Sequence, residues 1–138
     1  MTLMETLIAL GVCGLAMGAI VSGYYFASTS AEKAALSLAA NGAAMQRIEE
    51  TRAASWDLSA NPNIDQLVSS NFPSKVVTLD VSGNGTAITY ATNTTTITQV
   101  STNPSLKKIH VDCVWTIKGG KINKTFTNSV ETCRAPDQ

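Results

Sequence analysis

Residues Met1–Phe26 read MTLMETLIALGVCGLAMGAIVSGYYF, and the fold class turns on how that stretch is placed. From Leu7 to Phe26 there are twenty residues whose one clearly polar side chain is Ser22. As a helix rising 1.5 Å per residue they match the ~30 Å hydrocarbon core of a bilayer. No charged residue falls between Glu5 and Glu32, a run of 26 positions. A secretory signal peptide fits poorly, because it has a basic leader and a shorter apolar run, and the first basic residue here is Lys33. A plain single-pass anchor fits better, with Tyr24, Tyr25 and Phe26 as its interfacial aromatic belt. That reading leaves Glu5 unexplained. A carboxylate in the hydrocarbon costs about 2.5 to 3.5 kcal/mol at the centre and less near an end, so it asks for a partner. No Lys, Arg or His stands near it in the sequence. The nearest cation is an α-amino group, either the chain's own or that of a neighbouring subunit, and the second option implies self-assembly.

Met1-Thr2-Leu3-Met4-Glu5-Thr6-Leu7-Ile8-Ala9-Leu10 resembles the start of a mature type IV pilin or type II secretion pseudopilin, with Glu at the fifth position ahead of a long apolar helix. The resemblance covers about the first 25 residues. It implies a precursor whose short basic leader is removed by a prepilin peptidase, methylation of the new amino terminus by an N-methyltransferase, and Met1 as first mature residue where the family most often has Phe. It further implies that Glu5 pairs with the Met1 amine of an adjacent subunit and sets axial register. Glycines stand at Gly11, Gly14, Gly18 and Gly23. Gly14-x-x-x-Gly18 allows close helix contact in lipid, and each glycine weakens a helix by about 0.8 to 1 kcal/mol relative to Ala. Local melting between Gly14 and Gly23 is therefore an expectation for an assembled filament. Many family members have Pro near the position of Ser22, which is a departure here.

Past the apolar run, Ala27 to Trp56 is rich in Ala, Leu, Glu, Arg and Gln, with no proline before Pro62. Good helix formers extend the helix to about 54 residues, roughly 80 Å. Leu38, Met45 and Ile48, with Trp56 near the end, recur at helical spacing and are expected to cover the carboxy-terminal domain. Ala35, Ala39 and Ala43 form a smooth stripe suited to packing against other helices. After Asn61-Pro62-Asn63 the texture turns to β-branched runs. Strands are expected over Lys75–Val81, Ala87–Ala91, Thr94–Val100, Leu106–Lys118 and Lys121–Val130, with a turn at Ser82-Gly83-Asn84-Gly85. Ile109, Val111, Cys113, Trp115 and Ile117 alternate with polar residues, and a two-residue Gly119-Gly120 hairpin sets Ile117 against Ile122 and Cys113 against Phe126. The expected fold class is α+β, type IV pilin-like: residues 1–26 a transmembrane and filament-core helix, 27–57 its amphipathic continuation, 58–138 a β-rich domain with one apolar sheet face on the helix.

The family's frequent carboxy-terminal disulfide implies a Cys113–Cys133 pair, which would stabilise by about 3 kcal/mol. The hairpin register instead puts Cys133 on the opposite face. Either the last strand bulges and the tail folds back, or the bond is absent. Cys13 reads as a small apolar residue.

Ten basic against ten acidic residues in a 138-residue chain, with mean hydropathy slightly above zero, bound the molecule to one domain and argue against nucleic acid, which needs clustered cations. One His and three Cys at unrelated spacings carry no metal or haem signature. His110 is expected to be a solvated strand residue. Asp80 to Gly85 resembles the opening of a calcium loop, but the twelfth position is Ala91, where a bidentate Glu is required. Asn84, Asn93 and Asn123 fall in N-x-[ST] patterns, for which chance in a Thr-rich stretch suffices. No catalytic set and no cofactor site is expected.

The resemblance thus implies a filament subunit. Identical copies leave the inner membrane through an assembly platform and pack their helices into an extracellular filament at the cell surface, serving adhesion, motility, DNA uptake or secretion, with the small domain outwards. One alternative is a minor pseudopilin or pilus-tip subunit that primes assembly. A second is a single-pass anchored binding module, against which Glu5 speaks.

Overall fold

A computed structural model of the chain describes residues 2–81, 88–119 and 122–137. The chain divides into two units, Met1–Ala35 and Leu36–Gln138. Helix α1 spans Leu3–Arg52, four residues short of the expected end. Trp56, placed on the helix by its spacing, stands instead in strand β1 (Trp56–Asp57), which pairs antiparallel with β2 (Ile64–Asp65). Asp57 explains the reversal, since its Oδ1 accepts from the backbone N–H of Ser59 and of Ala60 and from the Ser59 hydroxyl, a local bonding pattern that competes with helix.

A 3-10 turn at Ser69–Asn71 leads into a four-stranded antiparallel sheet in the order β3-β4-β5-β6. The strands are β3 Lys75–Val81, β4 Ile88–Thr102, β5 Ser105–Gly119 and β6 Ile122–Arg134. Two expected strands merge into β4, because Ala91 to Thr94 is itself strand. The Ser82–Gly85 turn lies outside the described residues. The β5–β6 register also differs from expectation. Ile117 pairs with Lys124, Trp115 with Phe126 and Cys113 with Asn128, a slip of two residues that leaves every side chain on its expected face, since strand side chains alternate with period two.

In the second unit the core joins Leu36, Ala40, Ala44 and Ile48 of α1 to Trp56, Leu67 and Phe72 and to Ala91, Ile109, Val111, Cys113 and Trp115 of the sheet. Two of the four residues expected to dock the helix therefore do not. Leu38 is 74% exposed and Met45 48% exposed, whereas Ile48 and Trp56 are buried. At about 100° per residue, Leu38 and Met45 lie about 180 to 200° around the axis from Leu36. Bulk from Trp115, Trp56 and Phe72 lets the small Ala40 and Ala44 fill the middle of the docking face, between the larger Leu36 and Ile48.

Candidate functional site

The unit ending at Ala35 is helix from Leu3 onward, with every described side chain exposed. Two of its hydroxyls bond inward. The Thr6 hydroxyl reaches the carbonyl of Leu3 at 3.0 Å, and that of Thr29 the carbonyls of Tyr25 and Phe26 at 3.1 Å. The surface left over is apolar, from Leu3, Leu7 and Leu10 through Ile20 to Phe26, with one charge in its first turn, Glu5. Among the described residues no partner is found for the Glu5 carboxylate. Met1 lies outside the described residues. By length and composition α1 is able to cross a membrane, and its most apolar stretch is wholly exposed. The helix runs unbroken through Gly11, Gly14, Gly18 and Gly23, and a Cβ at any of them would meet nothing within 4 Å. The melting expected of an assembled filament is thus not present in the single chain.

In the second unit, polar bonds seat the helix on the sheet. Asn128 accepts from the Trp115 indole at 2.7 Å and donates to the Ser37 hydroxyl and the Asn41 side chain at 3.0 Å each. Asn93, 2% exposed, donates to the Ala43 carbonyl at 3.0 Å, which removes it as a glycan acceptor in the folded chain. Of the other two N-x-[ST] positions, Asn123 is exposed and Asn84 lies outside the described residues. Arg47, buried beside Phe72, donates to Thr95 at 3.1 Å and to the Pro73 carbonyl at 2.6 Å. Glu50 lies between Arg47 and Lys75; the hydrogen bond from Lys75, then that from Arg47, holds its carboxyl below the usual range.

Three side chains without an expected role fasten the end of α1 and the segment 56–67 that follows it. Lys107, buried, donates to both Asp65 oxygens at 2.7 and 2.6 Å and to the Leu67 carbonyl at 2.8 Å, over the Trp56 ring. Arg134 donates to the carbonyls of Thr51 and Ala54 at 3.0 and 2.6 Å. Asp137 accepts from the Trp56 N–H at 2.9 Å, and that bond, then the one from Arg134, lowers its carboxyl. The signal for Lys107 was present: it shares the parity of Ile109, Val111, Cys113 and Trp115 on β5.

The implied disulfide is absent; Cys113 and Cys133 are both free thiols. Cys113 is buried against the helix and Cys133 sits exposed opposite Lys108, five residues beyond Asn128, the partner of Cys113. Burial pushes the Cys113 thiol up. His110 is half-buried, not simply solvated, with its ring nitrogens 2.8 Å from Glu131 and 2.9 Å from Asp112. Hydrogen bonds from Lys108 and then His110 lower the Glu131 carboxyl. No cluster able to hold a metal ion is found among the described residues. No family model, curated protein or solved structure matches the chain. What stands is an α+β chain whose amino-terminal helix is apolar and long enough to anchor in a membrane.

Proposed function

We propose that this chain is a filament subunit of the type IV pilin or type II pseudopilin kind, held in a membrane through α1 before assembly and joined to identical copies through that helix afterwards. Glu5 carries the reading. An exposed carboxylate in the first turn of an exposed apolar helix, with no cationic partner among the described residues, is costly in hydrocarbon. The neighbouring subunit's amino-terminal ammonium offsets that cost and makes register part of the interaction. The glycines on α1 lie in open space and let neighbouring helices come close. The work of the chain is assembly and not catalysis, and its partners are copies of itself, a prepilin peptidase, an N-methyltransferase and an inner-membrane platform.

The reading is tested by counting filaments sheared from cells that carry the parent chain, Glu5→Ala or Glu5→Asp. Loss of filaments with Glu5→Ala at unchanged membrane content, and partial retention with Glu5→Asp, is expected. Equal filament yield from all three removes the role of the acid.

A further inference from the structure

The two edges of the four-stranded sheet are unlike. Strand β3 is short, seven residues, follows Pro73 and carries a register break between Thr78 and Asp80, which confines its regular part to residues 75–78. Strand β6 has thirteen residues, no proline, and an unbroken register with β5 from Gly119–Ile122 to Lys107–Arg134. Its one lysine is Lys124, near one end. Among the described residues β5 is the sole strand beside it. A long, regular edge of this kind presents unpaired backbone groups to another extended strand.

We propose that β6 takes the β3 strand of a second copy of this chain, extending the antiparallel sheet from copy to copy; the proposal rests on the filament reading for the common polarity of the copies. In an antiparallel sheet of four strands the outer two run in opposite directions, so a copy in the same orientation brings β3 to β6 antiparallel. The contact is heterologous and repeats without closing on itself. Side chains match in one register. Val77 comes opposite Phe126 on the helix-facing side, where both are half-buried. Val76, 65% exposed, comes opposite the exposed Thr127 on the outer side. Lys124, exposed, meets the bulged Leu79–Asp80 pair, whose Asp80 is exposed. An apolar pair, a β-branched pair and an opposite-charge pair each favour adjacent strands.

Disulfide trapping in the full chain tests the contact. Within one chain Val76, Thr92, Val114 and Thr127 form one row across the sheet, so Val76 and Thr127 are three strand spacings, about 14 Å, apart and beyond the ~7 Å reach of a disulfide. In a Cys13→Ser/Cys133→Ser background, Val76→Cys/Thr127→Cys is expected to give a ladder of linked trimers and larger species on oxidation, while Val76→Cys/Glu131→Cys gives none. Lys124→Asp lowers the ladder several-fold, and Asp80→Lys in the same chain restores it. If the first pair disturbs folding, seen as lost protease resistance, Thr78→Cys/Thr125→Cys is the next outer pair in the register and is expected to behave alike. A folded pair without a ladder, or an equal ladder from the Glu131 control, overturns the proposal. Filaments of the parent chain are scored separately by electron microscopy. Filaments without the ladder overturn the sheet contact and leave the filament reading standing, whereas a ladder without filaments supports the contact and removes that reading.

Discussion

The indole N–H of Trp115 donates to Asn128 Oδ1 at 2.7 Å, and the nitrogen of the same amide turns to Ser37 and Asn41 on α1. One side chain on β6 thereby fixes the largest residue of β5 and two residues of the helix. Replacing Asn128 by Leu leaves the Trp115 donor unpaired and removes both helix contacts, at an expected cost of about 2 kcal/mol. Urea unfolding of the detergent-solubilised chain, followed by tryptophan fluorescence, reads that loss as a lower midpoint at unchanged slope.

The exposed face of α1 and its docking face are separable. Met45→Asp is expected to change stability by less than about 0.5 kcal/mol, as at other surface positions. Ala44→Asp puts an unpaired charge where Ala44 is fully buried and costs about 3 kcal/mol or more. Limited proteolysis of the carboxy-terminal domain distinguishes them: resistance is retained in the first variant and lost in the second.

Acid sensitivity follows from Glu50 and Asp137, whose carboxyls are held low by Lys75 and Arg47 and by the Trp56 N–H and Arg134 respectively. A folded-state value below the unfolded one means stability that is full above the unfolded carboxylate range, about 4, and lost as pH falls through the lower folded values. The thermal midpoint is expected to be level between about pH 5 and 7 and to fall below about pH 4. Asp137→Asn makes the fall shallower and lowers the neutral-pH midpoint, which scanning fluorimetry across pH measures.

Both carboxy-terminal thiols are free. A reductant is therefore expected to leave the unfolding midpoint unchanged, in contrast to the several kcal/mol that follow removal of a native disulfide. Maleimide labelling with peptide mapping should modify Cys133 in the folded chain and Cys113 only after unfolding, because Cys113 is buried.

Much of this architecture was legible in the residues. The alternation of Ile109, Val111, Cys113, Trp115 and Ile117 marks β5 and its inner face, and a two-residue register slip changes the partners without changing that face. The helix face was not legible from size alone. Leu36, Leu38, Met45 and Ile48 are all large and apolar, yet Leu36 and Ile48 join Ala40 and Ala44 in the core while Leu38 and Met45 stay exposed, and bulk from Trp115, Trp56 and Phe72 lets alanines fill the middle of that face. Counting apolar side chains on α1 gives no information on bulk arriving from strands remote in sequence. Arg47, Lys107 and Arg134 escaped for a related reason: each is bonded to partners brought from elsewhere in the chain, Thr95 and Pro73, Asp65, and Thr51 with Ala54. Glu5 is the reverse case, visible at once as an acid in an apolar run, with a proposed role that one copy of the chain does not contain.

On the proposed reading, this chain polymerises through α1. Electron microscopy of material sheared from cells carrying the parent chain, with mass spectrometry of the same fraction, tests it most directly. Abundant thin filaments whose main protein is this chain are predicted. A sheared fraction without filaments, or filaments built mainly of another protein, would contradict it.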